Sequence, residues 1–251
     1  MKRFRLALSF LTTLPVSPDG QAKPGDLGWA AVWFPIVGLV IGLILSALGY
    51  GLAQIFPIPL AGGLVTAAWA LLTGALHLDG LADCCDGLFP AVSRERRLKI
   101  LRDPHLGSFG AAGLALFLIL KTAAVSAVIQ SSAVVWPWQP LLGLSLAPVL
   151  ARWLILPVGR QPLARSGGLG SEFSLGLKSR DVVLAAPLPL LLVLASGWRG
   201  LLAATLAALA SFGAVRLALS RLDGITGDVL GLVVELSELM VLLAFSVNLP
   251  V

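Results

Sequence analysis

Long apolar runs alternate with short polar connections along almost the whole chain. The runs cover approximately Leu27–Ala53, Leu60–Leu76, Gly107–Val128, Gln139–Val158, Val182–Ser196, Leu201–Leu219 and Val229–Val247. Most have the ~17–25 residues that cross a bilayer core as a helix. The pattern predicts an all-α fold: a polytopic integral membrane helix bundle of about seven spans, with residues 1–251 as a single integral membrane domain. The fifth run is short and carries Pro187 and Pro189, so it is expected to be kinked or only partly inserted. Lys2, Arg3 and Arg5 precede the short apolar stretch Leu6–Leu11, which Thr12 and Thr13 interrupt. No small-residue cleavage site follows, so an N-terminal interfacial helix is expected rather than a signal peptide. Ser93 is a suitable N-cap for a cytoplasmic basic helix after it.

Composition supports the membrane reading. Charged residues are 12% of the chain and mean hydropathy is +0.93, against about 25% charge in soluble domains. Basic residues gather at the N-terminus, at Arg94–Arg102, at Arg160–Arg180 and at Arg216 and Arg221, whereas Gln54–Pro59 and Gln130–Trp138 are uncharged. The alternation puts the N-terminus and every charged cluster on the cytoplasmic side of the inner membrane. Trp136, Trp138 and Trp198 then anchor the outer interface. No basic patch with interleaved aromatics is present, so nucleic acid is not an expected partner. Cys84 and Cys85, the chain's two cysteines, read as small packing residues rather than zinc ligands.

Against this apolar background the acids stand out. Nine of the thirteen fall in Asp79–Asp103 and Asp223–Glu238. Asp79, Asp83 and Asp86 share an arc of about 60° on a helix. Each would cost roughly 2.5–3.5 kcal/mol in hydrocarbon, so they must face water, a cation or both. Hard oxygen ligands favour Mg²⁺ or Mn²⁺ over zinc. Asp228, Glu235 and Glu238 share a second helix face of about 80° and are candidates for the same metal, or for pairing with Arg152 or Arg216. Asp83, Asp228 and His77 are candidate catalytic groups, with one carboxylate as base. A basic helix beside an acidic one suits a diphosphate, which makes Arg94, Arg97 and Arg102 candidate phosphate contacts. Lys121, in mid-span, should face the bundle interior, pair with a carboxylate, and is a further candidate for substrate binding. Gly107 and Gly110 open the third span and permit close backbone approach.

With these residues in view, the chain resembles the cobalamin synthase family of adenosylcobinamide-GDP ribazoletransferases. The resemblance runs from Phe10-Leu11-Thr12-Thr13-Leu14-Pro15 through His77–Gly87, Arg102–Gly110 and Leu120-Lys121 to Gly224-Ile225-Thr226-Gly227-Asp228, Glu235 and Glu238. The most specific part is His77-Leu78-Asp79-Gly80-Leu81-Ala82-Asp83-x-x-Asp86-Gly87; Thr13, where the family pattern has arginine, departs from it. The resemblance implies Mg²⁺-dependent transfer of the adenosylcobinamide phosphate group of adenosylcobinamide-GDP to the 5′-hydroxyl of α-ribazole. On the phosphate route, the acceptor is α-ribazole 5′-phosphate and the product cobalamin 5′-phosphate; GMP leaves in both. An oligomer is compatible with this reading. Two rival readings share some of these features. A CDP-alcohol phosphotransferase would share Asp83-x-x-Asp86-Gly87, but Pro90-Ala91 follows where that family continues differently. An ion- or proton-coupled transporter would hold its acids near mid-membrane at a repeat junction, and no internal repeat is evident.

Overall fold

The computed structural model describes residues 1–16, 23–131 and 139–247. Trp136 and Trp138, expected at the outer interface, lie outside them. The described residues form helices α1 (Lys2–Leu11), α2 (Asp26–Ala30), α3 (Phe34–Ala53), α4 (Ile58–Leu72), α5 (Leu76–Leu88), α6 (Arg94–Ile100) and α7 (Ser108–Ser131). They continue as α8 (Gln139–Val158), α9 (Leu169–Gly176), α10 (Ser179–Leu184), α11 (Pro187–Ala195), α12 (Gly197–Leu222) and α13 (Gly227–Ser246). A 3-10 turn, Ala31–Trp33, joins α2 to α3.

The protein is an all-helical membrane bundle. Four stretches are long and apolar enough to cross a membrane: Asp26–Ala53, Ser108–Ser131, Gly197–Leu222 and Gly227–Ser246. A fifth counts if α4 and α5 together make one broken crossing. The sequence-based expectation for the other runs differs from the fold in two places. The second run does not stay straight. Gly74 and Ala75 adopt left-handed φ values of 60° and 54°, and α5 leaves α4 at 92°. The acidic helix therefore lies across the end of the bundle. The fifth run is two short helices, α10 and α11, because Pro187 must open a new helix where its missing N–H costs nothing.

At the centre lies α13, which packs against α12, α8, α5 and α7. Apart from Asp228, Glu235, Ser237, Glu238 and Ser246 its sequence is apolar on every side, as expected of a helix with no solvent face, and fourteen of its residues are buried. Helices α3 and α8 approach closely because Gly38 and Gly42 face them: a Cβ on Gly42 would lie 2.5 Å from Ser145 Cα. Such small-residue contacts are the usual means of helix association in lipid. Outward faces of α3, α7 and α12 carry exposed Leu43, Ile44, Leu116, Ile119, Leu209 and Phe212, as a lipid-facing surface requires.

One buried ion cluster fastens α13 to its neighbours. Lys121 Nζ of α7 donates to Glu235 Oε2 at 2.7 Å and to Glu238 Oε2 at 2.6 Å, and sits 4.3 Å from the Trp69 ring centroid. Arg152 of α8 pairs with the other oxygen of Glu238. Two cations thus meet two anions, and the formal charge of the four groups cancels. Breaking a buried pair costs about 3–5 kcal/mol because the surviving charge is left uncompensated. Glu238→Gln is therefore expected to destabilise the protein by that amount in a denaturant or thermal series in nanodiscs; unfolding indistinguishable from wild type would refute the anchoring role.

Candidate active site

The site end of the bundle is built on a close crossing of α5 over the start of α13. A Cβ on Gly80 would lie 2.8 Å from the Asp228 carbonyl oxygen, and one on Gly231 would lie 3.2 Å from Gly80 Cα. Any larger residue would push the helices apart. The contact brings the acids of α5 beside Asp228 at the first turn of α13. Thr226 caps α13, accepting from Val229 N at 3.4 Å, and its hydroxyl donates to Asp228 Oδ2 at 3.0 Å.

The carboxylates of Asp79 and Asp83 have no hydrogen-bond partner among the described residues, and Asp79 is exposed. Asp83 is half-buried. Its burial, then the charges of Asp79, Asp228 and Asp86, push its pKa up to about 7, against a smaller opposing effect of Arg165. A carboxyl raised in this way is first desolvated and then crowded by like charges. Among the described residues, however, no three acidic, histidine or cysteine side chains stand close enough to enclose a metal as they are.

Asp86 differs from its neighbours. Its two oxygens accept from Gly107 N at 2.7 Å and Gly110 N at 2.8 Å, capping α7 in the way acids cap helix starts. The two glycines are needed because a Cβ on either would meet the carboxylate at 2.3 and 2.2 Å. On the back of the helix Cys84 is buried and Cys85 packs against Gly113, as small packing residues.

Several expected site residues serve other ends. Glu235, Glu238 and Lys121, expected on metal and substrate, are buried in the ion cluster described above, where their charges are matched. Pairing of Lys121 with a carboxylate was the part of its reading that geometry follows. Arg97, expected on phosphate, is buried and donates to the Gly87 and Leu88 carbonyls at 2.8 Å, closing the C-terminus of α5. Arg94 donates to Leu222 O at 2.9 Å and Ala164 O at 3.2 Å and pairs with Asp223 at 3.0 Å, closing α12. Both guanidinium groups sit where carbonyls need donors, and the structure engages them there rather than leaving them open. Arg102 is exposed. Thr13 likewise closes α4, its hydroxyl donating to Leu71 O at 3.0 Å.

A cavity of about 270 Å³ opens beside Asp79 and Asp228. His77, buried and with Nδ1 lacking a partner among the described residues, lines it. So do groups that sequence reasoning missed: Phe34 and Phe173, and the segment Arg165–Ser171 with its three glycines. A short parallel bridge between Leu163 and Ile225, with Ala164 N donating to Ile225 O at 2.9 Å, straps this segment to the start of α13. It carries Arg165 to within 3.5 Å of Asp228 Oδ2. The signal in the sequence was Arg165-Ser166-Gly167-Gly168-Leu169-Gly170-Ser171, an arginine directly before a glycine-rich turn, which can hold an anion on backbone amides.

The fold and site define an all-helical integral membrane protein with Asp79, Asp228, Arg165 and a glycine-rich turn around one cavity. The family model described as cobalamin-5-phosphate synthase matches residues 3–246; the chain belongs to that family. It is 40% identical over 252 residues to an adenosylcobinamide-GDP ribazoletransferase of Pseudomonas syringae pv. syringae, covering 98% of this chain and 99% of that one. It is 38% identical over 250 residues to the enzyme so named from Geotalea daltonii, covering 97% and 96%. A third, from Roseiflexus sp., is 37% identical over 246 residues, covering 97% of this chain and 89% of the relative. No solved structure matches the chain. Family membership sets aside the CDP-alcohol phosphotransferase and transporter readings.

Stability should separate the two kinds of aspartate. Asp86→Asn cannot accept both amides and is expected to cost about 1.5–3 kcal/mol, the worth of hydrogen bonds to a charged group. Asp83→Asn removes repulsion and should leave metal-free stability unchanged or higher. Unfolding midpoints in nanodiscs decide the matter, and equal losses in both variants would contradict the assignment.

Proposed function

We propose that this protein catalyses the assembly step named for its relatives: transfer of the adenosylcobinamide phosphate group of adenosylcobinamide-GDP to α-ribazole or its 5′-phosphate, with release of GMP. The observation that supports the reading at the site is that Asp79 and Asp228 line one cavity while Asp83 stands near enough to feel both charges, with Arg165 as the cation beside Asp228. As oxygen-only donors the three have the chemistry of a hard divalent ion of the Mg²⁺ type, and their side chains would have to turn toward one another to hold it. When bound, Mg²⁺ would screen the negative charge that builds on the diphosphate as the bond to GMP breaks. Asp86 positions α5 against α7, and exposed Arg102 is available to the donor's phosphates. The proton of the attacking hydroxyl passes to a base on the cavity wall, for which Asp228 and His77 are suitably located.

The family description also bears on which oxygen attacks. A product carrying a phosphate at position 5 requires that the acceptor's 5′ oxygen be already esterified. On that route the nucleophile is therefore another ribose hydroxyl, not the 5′-hydroxyl expected from the sequence. One site geometry serves both acceptors only if the same ring hydroxyl attacks in each. Its oxygen bonds to the phosphorus nearest the cobinamide, and the bond from that phosphorus to the bridging oxygen of GMP breaks.

We also infer seven crossings of the inner membrane within one domain, with the site facing the cytoplasm. The helices α3, α7, α10 with α11, and α13 lead away from the site end; α4, α8 and α12 return to it. In keeping with this, Arg199 Nη2 at the start of α12 donates to Val247 O beyond the end of α13, at 3.3 Å. Basic residues concentrate at the site end, which supports a cytoplasmic face.

Purified protein in nanodiscs, given adenosylcobinamide-GDP, α-ribazole 5′-phosphate and Mg²⁺, is expected to release GMP stoichiometrically with the cobamide product. Asp83→Asn or excess EDTA should lower the rate by about 10²-fold or more, the scale of losing one transition-state charge contact. GMP release unaffected by both would remove the carboxylates from the reaction.

A further inference from the structure

Residues 93–103 and 216–223 carry seven lysines and arginines against three acids, so most of the chain's net charge of +5 gathers there. The two stretches meet where α6 packs on the end of α12. Each acid is already engaged. Asp223 pairs with Arg94, Asp103 with His105, and Glu95 with the Ser93 hydroxyl. Arg94 and Arg97 are held by carbonyls. Arg96, Lys99, Arg216 and Arg221 are exposed, and their side chains form no ion pair or hydrogen bond among the described residues. Burial, and then the charge of Arg221, lower the pKa of Arg97, so like charges crowd this corner. Basic residues elsewhere are better matched: Arg160 donates to Ser179, and Arg180 stands 3.8 Å from Asp181.

The patch is continuous with the lipid-facing surface. Leu209, Phe212 and Arg216 are exposed on one face of α12, at steps of three and four residues. Arg216 stands roughly 9 Å before the end of that helix, so its guanidinium must reach along the lipid face toward polar groups. Phe89 and Val92, in the turn from α5 to α6, are exposed as well. Apolar side chains interleaved with unpaired cations suit a surface at the level of the headgroups.

We propose that α6 and the adjoining end of α12 bind the phosphate groups of anionic phospholipids through Arg96, Lys99, Arg216 and Arg221, and that this binding holds α5 across the bundle end. A headgroup reaches Arg216 with its acyl chains against Leu209 and Phe212; a soluble anion would have to leave water for the lipid face. The link to α5 follows from the inner side of α6. Arg97 closes α5 at Gly87 and Leu88, and Leu101 fills the space over Gly87. Arg94 ties Leu222 to Ala164, next to Arg165. Repulsion on the outer side works against these contacts, and headgroup phosphates relieve it. The binding goes beyond the transfer reaction and does not depend on it.

Protein in detergent, titrated with phosphatidylglycerol and with phosphatidylcholine of the same chains, reports the binding when bound lipid is counted by native mass spectrometry. Attraction of about fivefold per nearby cation gives wild type an expected preference for phosphatidylglycerol of about tenfold or more; equal affinities overturn the proposal. In Arg96→Gln/Lys99→Gln/Arg216→Gln/Arg221→Gln the preference should fall by about fivefold or more, whereas Lys178→Gln/Arg180→Gln, outside the patch, should keep it. Equal loss in the two variants would reduce the effect to overall charge and sink the site. Displacement of bound phosphatidylglycerol by millimolar inorganic pyrophosphate would give the patch to a soluble diphosphate and overturn the lipid assignment. Hydrogen exchange over residues 86–101 in nanodiscs tests the link to α5: phosphatidylglycerol should slow it severalfold in wild type and not in the four-site variant. Exchange insensitive to lipid in wild type would remove that link.

Discussion

Two backbones touch where α5 crosses α13, and the site exists because of that contact. With no side chain at Gly80 or Gly231, the helices approach until the Gly80 position faces the Asp228 carbonyl. Carboxylates from two distant segments are then forced together at one end of the bundle. Their mutual repulsion works against folding, so other interactions must hold the crossing shut. They lie on either side of it. Deeper in the bundle, Lys121 and Arg152 clamp Glu235 and Glu238 of α13. At the bundle end, Asp86 fixes α5 to the amides of α7, and Arg97 closes its C-terminus.

This division explains a chain with so few charges. Groups in the low-dielectric interior are matched one for one, because an unmatched charge there is costly. Groups at the helix ends satisfy carbonyls and amides that the helices themselves leave open. What remains is Asp79 and Asp83, whose carboxylates have no hydrogen-bond partner among the described residues, beside Asp228 and its partner Arg165. An anionic diphosphate and the cation that accompanies it are complementary to that remainder. The same economy keeps these carboxylates away from lipid, since α5 lies across the bundle end rather than through it.

Much of this was legible in the chain. Apolar runs gave the long helices α3, α7, α12 and α13, the Ser93 cap gave α6, and the spacing of Asp79, Asp83 and Asp86 gave a common helix face. The bend after Leu72 was not legible, because the apolar pattern continues to Leu76 and Gly74 alone is a weak signal. Arg94 and Arg97 were expected on phosphate for a sound reason, since a basic helix does adjoin an acidic one. Their donors nevertheless go to helix carbonyls, and composition cannot reveal which acceptor an arginine will find. Glu235 and Glu238 share a face with Asp228 in projection but lie farther along α13, beside Lys121. Arg165 was overlooked because it stands far in sequence from every acid it meets.

The sequence by itself determined that the chain is helical, lies in a membrane and gathers its acids on two short segments. These properties follow from local periodicity and from the cost of charge in hydrocarbon, both readable one segment at a time. Only the tertiary structure decided which charges are neutralised and which stay open. Partner choice depends on distances between helices remote in sequence, and here those distances are set by glycines that let backbones meet.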